Sequence, residues 1–261
     1  MSQQTTRIET DARGIATLWL ARSDKHNALS AQMIDELTGA AARLGADPAV
    51  RAVILAAEGK SFCAGGDLGW MQQQIGADAA TRRAGAEALA GMLNALNEMP
   101  KPLIGRVHGN AFGGGVGMMA VCDVAVGARG AKFGLTETKL GLIPATIGPY
   151  VVARMGEDKA RRVFMSARLF DAEEAERLNL LAYSVDPEDL DAAVEDEVVP
   201  YLATAPRAVA AAKRQVRGLG MRIDPQVIAD SIDMLIAVWE DDEAPEGIDA
   251  FFAKRKPRWQ A

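Results

Sequence analysis

Two glycine-rich stretches, each following a short, almost uninterrupted apolar run, constrain this chain most. The first run is Arg51-Ala52-Val53-Ile54-Leu55-Ala56, introduced by Asp47-Pro48, and the loop behind it extends from Gly59 to Gly69. The second run is Leu103-Ile104-Gly105-Arg106-Val107-His108, followed by the glycine-rich stretch from Gly109 to Gly117. A run of this length with no polar alternation suits a strand covered on both faces, as in parallel sheets. Between them lies a long alanine-rich helical stretch ending near Met99-Pro100, and Asp123-Val124-Ala125-Val126 is a third strand candidate. Strand, glycine loop, helix, repeated, is the alternation of an α/β protein with right-handed crossovers.

On either side the pattern changes. Residues 7 to 20 make two short extended runs around the turn Asp11-Ala12-Arg13-Gly14. Ser30 is placed to cap a helix, since Met33, Ile34, Leu37, Ala41 and Leu44 then recur at helical spacing until Gly45. Beyond about residue 145 the reading is almost purely helical: 147–166, 171–178, 187–204, 206–218, 225–240 and 245–255. No low-complexity linker interrupts the chain, so it reads as one continuous unit with a helical end.

Composition narrows the function classes. A chain of 261 residues, 49% hydrophobic and 25% charged, can bury a sizeable core. A net charge of −6 repels nucleic acid and anionic membrane rather than concentrating them. The dense basic clusters are Arg161-Arg162 and the tail from Lys254 to Arg258. Cys63 and Cys122 are too few for a disulfide framework, and with only two histidines, His26 and His108, no metal site is expected. No run of about 18 apolar residues suggests a membrane span, and the start lacks the pattern of a secretory signal. A soluble, cytoplasmic protein is the expectation.

In parallel sheets ligands gather at the carboxyl ends of strands, so the segments Phe62-Cys63-Ala64-Gly65-Gly66-Asp67 and Phe112-Gly113-Gly114-Gly115-Val116-Gly117 should meet in one crevice. Glycine there lets a backbone N–H approach a ligand atom, and a helix start favours negative charge. Two N–H groups converging on one point stabilise an oxyanion, and losing one such donor costs roughly 3–4 kcal/mol of barrier. Close packing or a phosphate cradle are the other readings of these glycines, but neither loop has a Walker lysine or a G-x-G-x-x-G before a helix.

The ordered set Lys25-His26-Asn27-Ala28-Leu29, Phe62-Cys63-Ala64-Gly65-Gly66-Asp67-Leu68, Lys101-Pro102, Gly109-Asn110-Ala111-Phe112-Gly113-Gly114-Gly115, Cys122-Asp123, Phe133-Gly134-Leu135-Thr136-Glu137 and Gly141-Leu142-Ile143-Pro144 resembles the crotonase family, the enoyl-CoA hydratases and isomerases. The tail from Phe251 to Pro257 resembles that family's C-terminal helix. The resemblance implies a ββα superhelical core over 1–195 holding the active site. It also implies a C-terminal helical region over 196–261 serving trimerisation, with trimers or paired trimers as the assembly. It places the oxyanion N–H groups on Gly66 and Gly114. Lys25, Ala28, Leu29, Ala64, Gly65, Asp67 and Leu68 would line the coenzyme A groove, Phe112, Gly117 and Thr136 would contact substrate, and Lys254 would approach a coenzyme phosphate. Coenzyme A is then part of the substrate and no separate cofactor is needed.

Glu137 matches one catalytic glutamate of the family. A carboxylate in a largely apolar pocket has its pKa raised into a useful range, and proton transfer by such a group is worth roughly 10²–10⁴-fold. The second glutamate of the two-glutamate hydratases would stand where this chain has Gly117. Its replacement is left open among a carboxylate of the substrate in the space above Gly117, bicarbonate, Asp67 and Glu87. The segments Gly66 to Met71 and Gly141 to Tyr150 resemble the branch acting on methylglutaconyl-CoA and related branched enoyl-CoA thioesters. The reading is therefore a hydratase of a branched or dicarboxylic enoyl-CoA. Its rivals are a Δ3,Δ2-enoyl-CoA isomerase, a thioester hydrolase using Cys63 or activated water, and a non-catalytic acyl-CoA-binding protein. Cys63 reads better as a small packed side chain, and His108 as a hydrogen-bonded structural histidine.

Overall fold

The computed structural model of the chain describes residues 4–260. Strands β1 (Thr6–Thr10) and β2 (Ile15–Leu20) form the expected antiparallel hairpin, with Ile8 opposite Leu18. Asp11 closes its turn by accepting from the N–H groups of Arg13 and Gly14, the latter at φ +85°. Helix α1 (Ala31–Ala46) starts at Ser30, whose hydroxyl accepts from Met33 N–H at 3.3 Å, and it buries Met33, Ile34, Leu37, Ala41 and Leu44.

The chain then advances in units of two strands and a helix. β3 (Ala52–Ala57) and β4 (Ser61–Cys63) lead to α2 (Leu68–Ile75) and α3 (Ala79–Glu98). β5 (Leu103–Val107) and β6 (Asn110–Phe112) lead to α4 (Gly114–Val121). β7 (Val124–Ala128) and β8 (Lys132–Gly134) lead through a 3₁₀ turn, Glu137–Leu140, to α5 (Gly148–Met155) and α6 (Glu157–Phe164). There follow β9 (Phe170–Asp171), α7 (Ala172–Arg177), β10 (Tyr183–Val185), α8 (Leu190–Val198), α9 (Pro206–Leu219), α10 (Pro225–Trp239) and α11 (Glu243–Phe252).

In each unit the first strand enters one sheet and the second strand another. The large sheet runs β1-β2-β3-β5-β7-β10, parallel from β2 onward. The small sheet runs β4-β6-β8-β9, with β4, β6 and β8 parallel and β9 antiparallel. One face of the large sheet packs on α1, α3 and α4 through residues such as Leu18, Leu55, Leu37, Leu93 and Met118. The other face, with Ile15, Ala52, Ile104 and Val126, is covered by α8 through Leu190, Val194 and Val198. Both faces are therefore dry, as the uninterrupted apolar runs imply. Met118 and Met119 are fully buried core.

Three sequence expectations change. The region beyond residue 145 is not purely helical: β9 adds to the small sheet, and β10 extends the large sheet by pairing with β7. Strands of two and three residues are too short to show a period. The helix expected over 147–166 is divided at Gly156, where φ is +79°. That expected over 187–204 contracts to α8 flanked by 3₁₀ turns that carry Pro187 and Pro200, which lack the N–H that a continuous helix needs.

The helical end is attached unevenly. Helix α10 packs on α3 through Ile232 against Ala86 and Ala90. Helix α9 has no buried residue and is held by charge. Lys213 donates to Asp123 Oδ2 at 2.7 Å and to the Lys101 carbonyl at 2.9 Å, and Arg217 donates to Asp123 Oδ1 at 3.2 Å. Replacing Lys213 by Met leaves Asp123 with a single cation in a poorly hydrated spot. A loss of about 3 kcal/mol is expected in denaturant unfolding, together with faster proteolytic cleavage around residues 204–224.

Candidate active site

The carboxyl ends of the three adjacent parallel strands of the small sheet, β4, β6 and β8, supply the three parts of the site. The glycine loops thus do not follow the long buried strands directly, because a short strand of the second sheet intervenes in each. Gly65 (φ +92°) and Gly113 (φ +49°) take up left-handed backbone. The two loops touch: a β-carbon on Gly65 would lie 3.0 Å from the Phe112 carbonyl oxygen and 3.8 Å from Gly114 N.

Gly66 forms an isolated parallel bridge with Leu29. Leu29 N–H donates to Gly65 O at 2.8 Å, and Asp67 N–H donates to Leu29 O at 3.0 Å. In extended backbone alternate groups face opposite ways, so the N–H of Gly66 points away from the Leu29 loop. Gly114 is the first residue of α4, where a helix leaves its N–H groups without intrahelical acceptors. These two N–H groups, on touching loops, are the pair that the sequence reading offers as oxyanion donors.

Glu137 opens the 3₁₀ turn behind β8. The Gly113 N–H donates to Gly134 O at 3.0 Å, which fixes β8 against the start of α4. A β-carbon on Gly113 would fall 2.8 Å from Glu137 Oε1, so the carboxylate rests on that glycine, one residue before the Gly114 donor. Its Oε2 is buried with no hydrogen-bond partner among the described residues. Burial, opposed only by the turn's own backbone N–H, pushes the Glu137 carboxyl up to about 7. Thr136 precedes it, half-buried.

The remaining expected residues divide. Ala28 and Leu29 are buried, and Leu29 Cδ1 lies where a β-carbon on Gly114 would need to be, 2.6 Å from it. Lys25 and Ala64 are exposed at the rim, and Phe112 is half-buried. The side chain of Leu68 lies outside what the structure describes. Helix α11 folds over the Glu137 turn, with Gly247 against the backbone of Leu140. Lys254 follows it, exposed, at φ +52°. In that tail Arg255 pairs with Glu246 and Asp249, and Arg258 with Asp242, so the two arginines are neutralised while Lys254 has no ion-pair partner among the described residues.

Gly117 corrects the sequence reading. A β-carbon there would fall 2.9 Å from Ile147 Cβ and 3.6 Å from Leu93 Cδ2, so hydrocarbon fills the space in which a substrate carboxylate was expected. Glu87 is exposed on α3. Asp67 is committed to Arg22, at 2.6 Å, and to capping α2 through Trp70 N–H. Burial raises its pKa, but the Arg22 guanidinium and backbone N–H groups outweigh that and hold it below the usual carboxylate range. Cys63 is fully buried, with its thiol pushed up to about 12 by desolvation, which removes it as a nucleophile. His108 Nε2 meets the Gly59 carbonyl at 2.9 Å, in keeping with a structural role.

Sequence reasoning missed Arg22, which lies in none of the quoted motifs, and read Ile147 only as part of the segment from Gly141 to Tyr150; each is tied to the site by a contact remote in sequence. Trp70 and Met71 were read only as part of a motif, yet their side chains come within 3.9 and 3.8 Å of a β-carbon on Gly66, forming a wall beside that donor.

The family model for enoyl-CoA hydratase/isomerase matches residues 10–261. Mouse mitochondrial methylglutaconyl-CoA hydratase is 30% identical, over 97% of this chain and 82% of the mouse protein. An enoyl-CoA hydratase from Shewanella pealeana superposes with a TM-score of 0.80 at 36% identity, covering 98% of this chain and 96% of that one. One from Mycobacterium smegmatis gives 0.79 at 32%, covering 99% and 100%.

A carboxyl whose pKa rises on folding adds relative stability at low pH and loses it as pH increases through the folded value. From the ordinary 4.5 to about 7, ionised Glu137 costs the fold about 3 kcal/mol. Glu137→Gln should therefore raise Tm at pH 8 and leave it almost unchanged at pH 4, read by thermal melts at both. Gly117→Glu should lose at least about 1–3 kcal/mol through overpacking against Ile147, and Gly117→Glu with Ile147→Gly should recover most of it.

Proposed function

The chain belongs to the enoyl-CoA hydratase/isomerase, or crotonase, family, and from that premise we propose that it adds water across the 2,3 double bond of an enoyl-CoA thioester with Glu137 as its only acid–base group. The observation that carries this reading is the buried Glu137 carboxylate resting on Gly113, next to the Gly114 N–H, with its Oε2 unpartnered among the described residues.

The thioester oxygen sits between the N–H groups of Gly66 and Gly114. Ionised Glu137 takes a proton from water as the oxygen of that water bonds to C3. The π electrons move to the thioester, giving an enolate whose oxygen is held by the two donors. Glu137 then returns the proton to C2. One water is consumed, and the carboxylate ends as it began. Preorganised donors cost no reorganisation at the moment charge develops, which is why rigid glycine loops serve better here than mobile side chains.

As substrate we propose a branched enoyl-CoA with a distal carboxylate, of the 3-methylglutaconyl type met in leucine breakdown. The similarity to the mouse enzyme over nearly the whole chain supports it, as do the segments from Gly66 and from Gly141. The distal carboxylate must sit elsewhere than over Gly117. We also propose a cytoplasmic trimer or hexamer. The exposed Val216, Leu219, Met221 and Met234 of the helical end support burial between subunits. Lys254, left unpaired, suits a coenzyme phosphate.

A second reading, Δ3,Δ2-enoyl-CoA isomerisation, is favoured by the hydrocarbon at Gly117. One carboxylate suffices to take a proton from C2 and return it to C4, with no water to orient.

Purified wild type and Glu137→Gln, incubated with crotonyl-CoA and 3-methylglutaconyl-CoA and followed by mass, separate these readings. A gain of one water mass is expected, larger in rate for the branched substrate and reduced roughly 10²–10⁴-fold in the variant. Wild-type kcat/KM should rise with pH through an apparent pKa near 7, because the ionised form accepts the first proton. No water gain, with a 3-enoyl-CoA converted at constant mass, would install the isomerase instead.

A further inference from the structure

Arg22 stands beside the Gly66 loop, half-buried. Its Nη1 lies 2.6 Å from Asp67 Oδ2 and 3.1 Å from the Ala28 carbonyl, so one nitrogen donates to two segments 39 residues apart. Both partners flank the Gly66 peptide. Ala28 precedes Leu29, whose N–H and C=O clamp Gly65 and Asp67 on either side of Gly66. Asp67 follows Gly66, and its second oxygen starts α2 by accepting from Trp70 N–H at 3.1 Å. The Arg22 main chain is fixed in turn: its N–H donates to Asn27 Oδ1, and its carbonyl accepts from the N–H groups of Lys25 and Asn27. Asn27 is fully buried and also donates to the carbonyls of Glu58 and Ser61.

We propose that Arg22 is a positioning residue of the oxyanion hole, setting the direction of the Gly66 N–H by bracing the peptides on either side of it. The proposal rests on the reading of Gly66 and Gly114 as oxyanion donors but holds equally for hydratase and isomerase, since both pass through an enolate. An ion pair suits this task. Side-chain exposures of 23% and 16% leave Arg22 and Asp67 partly desolvated, where a charge-assisted bond is stronger and its geometry better defined than at the surface. The same brace places Trp70 and Met71, so the donor and the wall beside it move together.

The test uses full-length wild type, Arg22→Ala, Arg22→Lys and Asp67→Asn, with two readouts. The first is the split between kcat and KM for an enoyl-CoA that the wild type turns over. The second is the enolate fraction of bound acetoacetyl-CoA at fixed pH, seen in its near-ultraviolet absorbance. Aligned donors raise that ligand's enolate fraction above its value in free solution at the same pH, and no turnover is required. Loss of alignment by a fraction of an ångström is costly in such sites, so Arg22→Ala should lower kcat by about 10–100-fold, leave KM almost unchanged and reduce the enolate fraction. Arg22→Lys, able to reach Asp67 with one ammonium, should recover part of both. Asp67→Asn, which keeps the α2 cap and loses the charge, should fall between, so the proposal stays testable if Arg22→Ala fails to fold. A change confined to KM, or an enolate fraction equal to that of wild type in every folded variant, would overturn the positioning role. Failure of the wild type itself to stabilise the enolate would overturn the oxyanion reading, and the proposal with it.

Discussion

The architecture turns on three strand ends approaching more closely than side chains allow. At Gly65, Gly113 and Gly114 a β-carbon would meet the Phe112 carbonyl, the Glu137 carboxylate or the Leu29 side chain at 3.0 Å or less. Removing those β-carbons lets the loops behind β4, β6 and β8 pack directly against one another. The second sheet holds these ends: its strands are two or three residues long and are anchored by the buried side chains of Phe62, Phe133 and Phe170. They are held from behind by α4, an all-apolar helix that is buried throughout. A site positioned by sheet ends rather than long loops has little freedom to drift, which preorganised donors require.

Much of this was legible in the residues. The apolar runs at β3, β5 and β7 marked a sheet covered on both sides, and the capping at Ser30 and the spacing of α1 stand as read. Gly66, Gly114 and Glu137 could be singled out because glycine and a carboxylate leave a chemical signature at strand ends, and the fold brings their loops together. What escaped was of two kinds. β4, β9 and β10 are too short to show a period, so their stretches passed as loop or helix. Arg22, Ile147 and the true surroundings of Gly117 depend on pairing across the chain, and a lone arginine or isoleucine carries no local mark of its distant partner. The missing side chain at position 117 was read as open space, whereas the fold fills that space with Ile147.

The helical end solves a different problem. Helix α11 seals the Glu137 turn by backbone contact at Gly141 and Gly247, so that turn is covered by residues more than 100 positions later. Helix α9 instead hangs on Asp123 through Lys213 and Arg217. Asp123 also accepts from the Leu103 N–H at the start of β5, so this ion cluster joins the helical end to the strand feeding the second glycine loop.

A buried carboxylate with an unpartnered oxygen is a cost that the fold would shed if nothing offset it. Ionised, Glu137 burdens the native state by about 3 kcal/mol, a large fraction of the stability of an ordinary domain. A hydrogen bond from a neighbouring side chain would remove that burden, but it would also pull the pKa down and weaken the group as a base. A proton carrier worth roughly 10²–10⁴-fold corresponds to about 3–5 kcal/mol of barrier, the same size as the stability forgone. Under the proposed function, Glu137 is thus a trade of stability for basicity. Ile147 and Leu93 close the far side at Gly117, so under that function the proton that Glu137 exchanges comes from the substrate side.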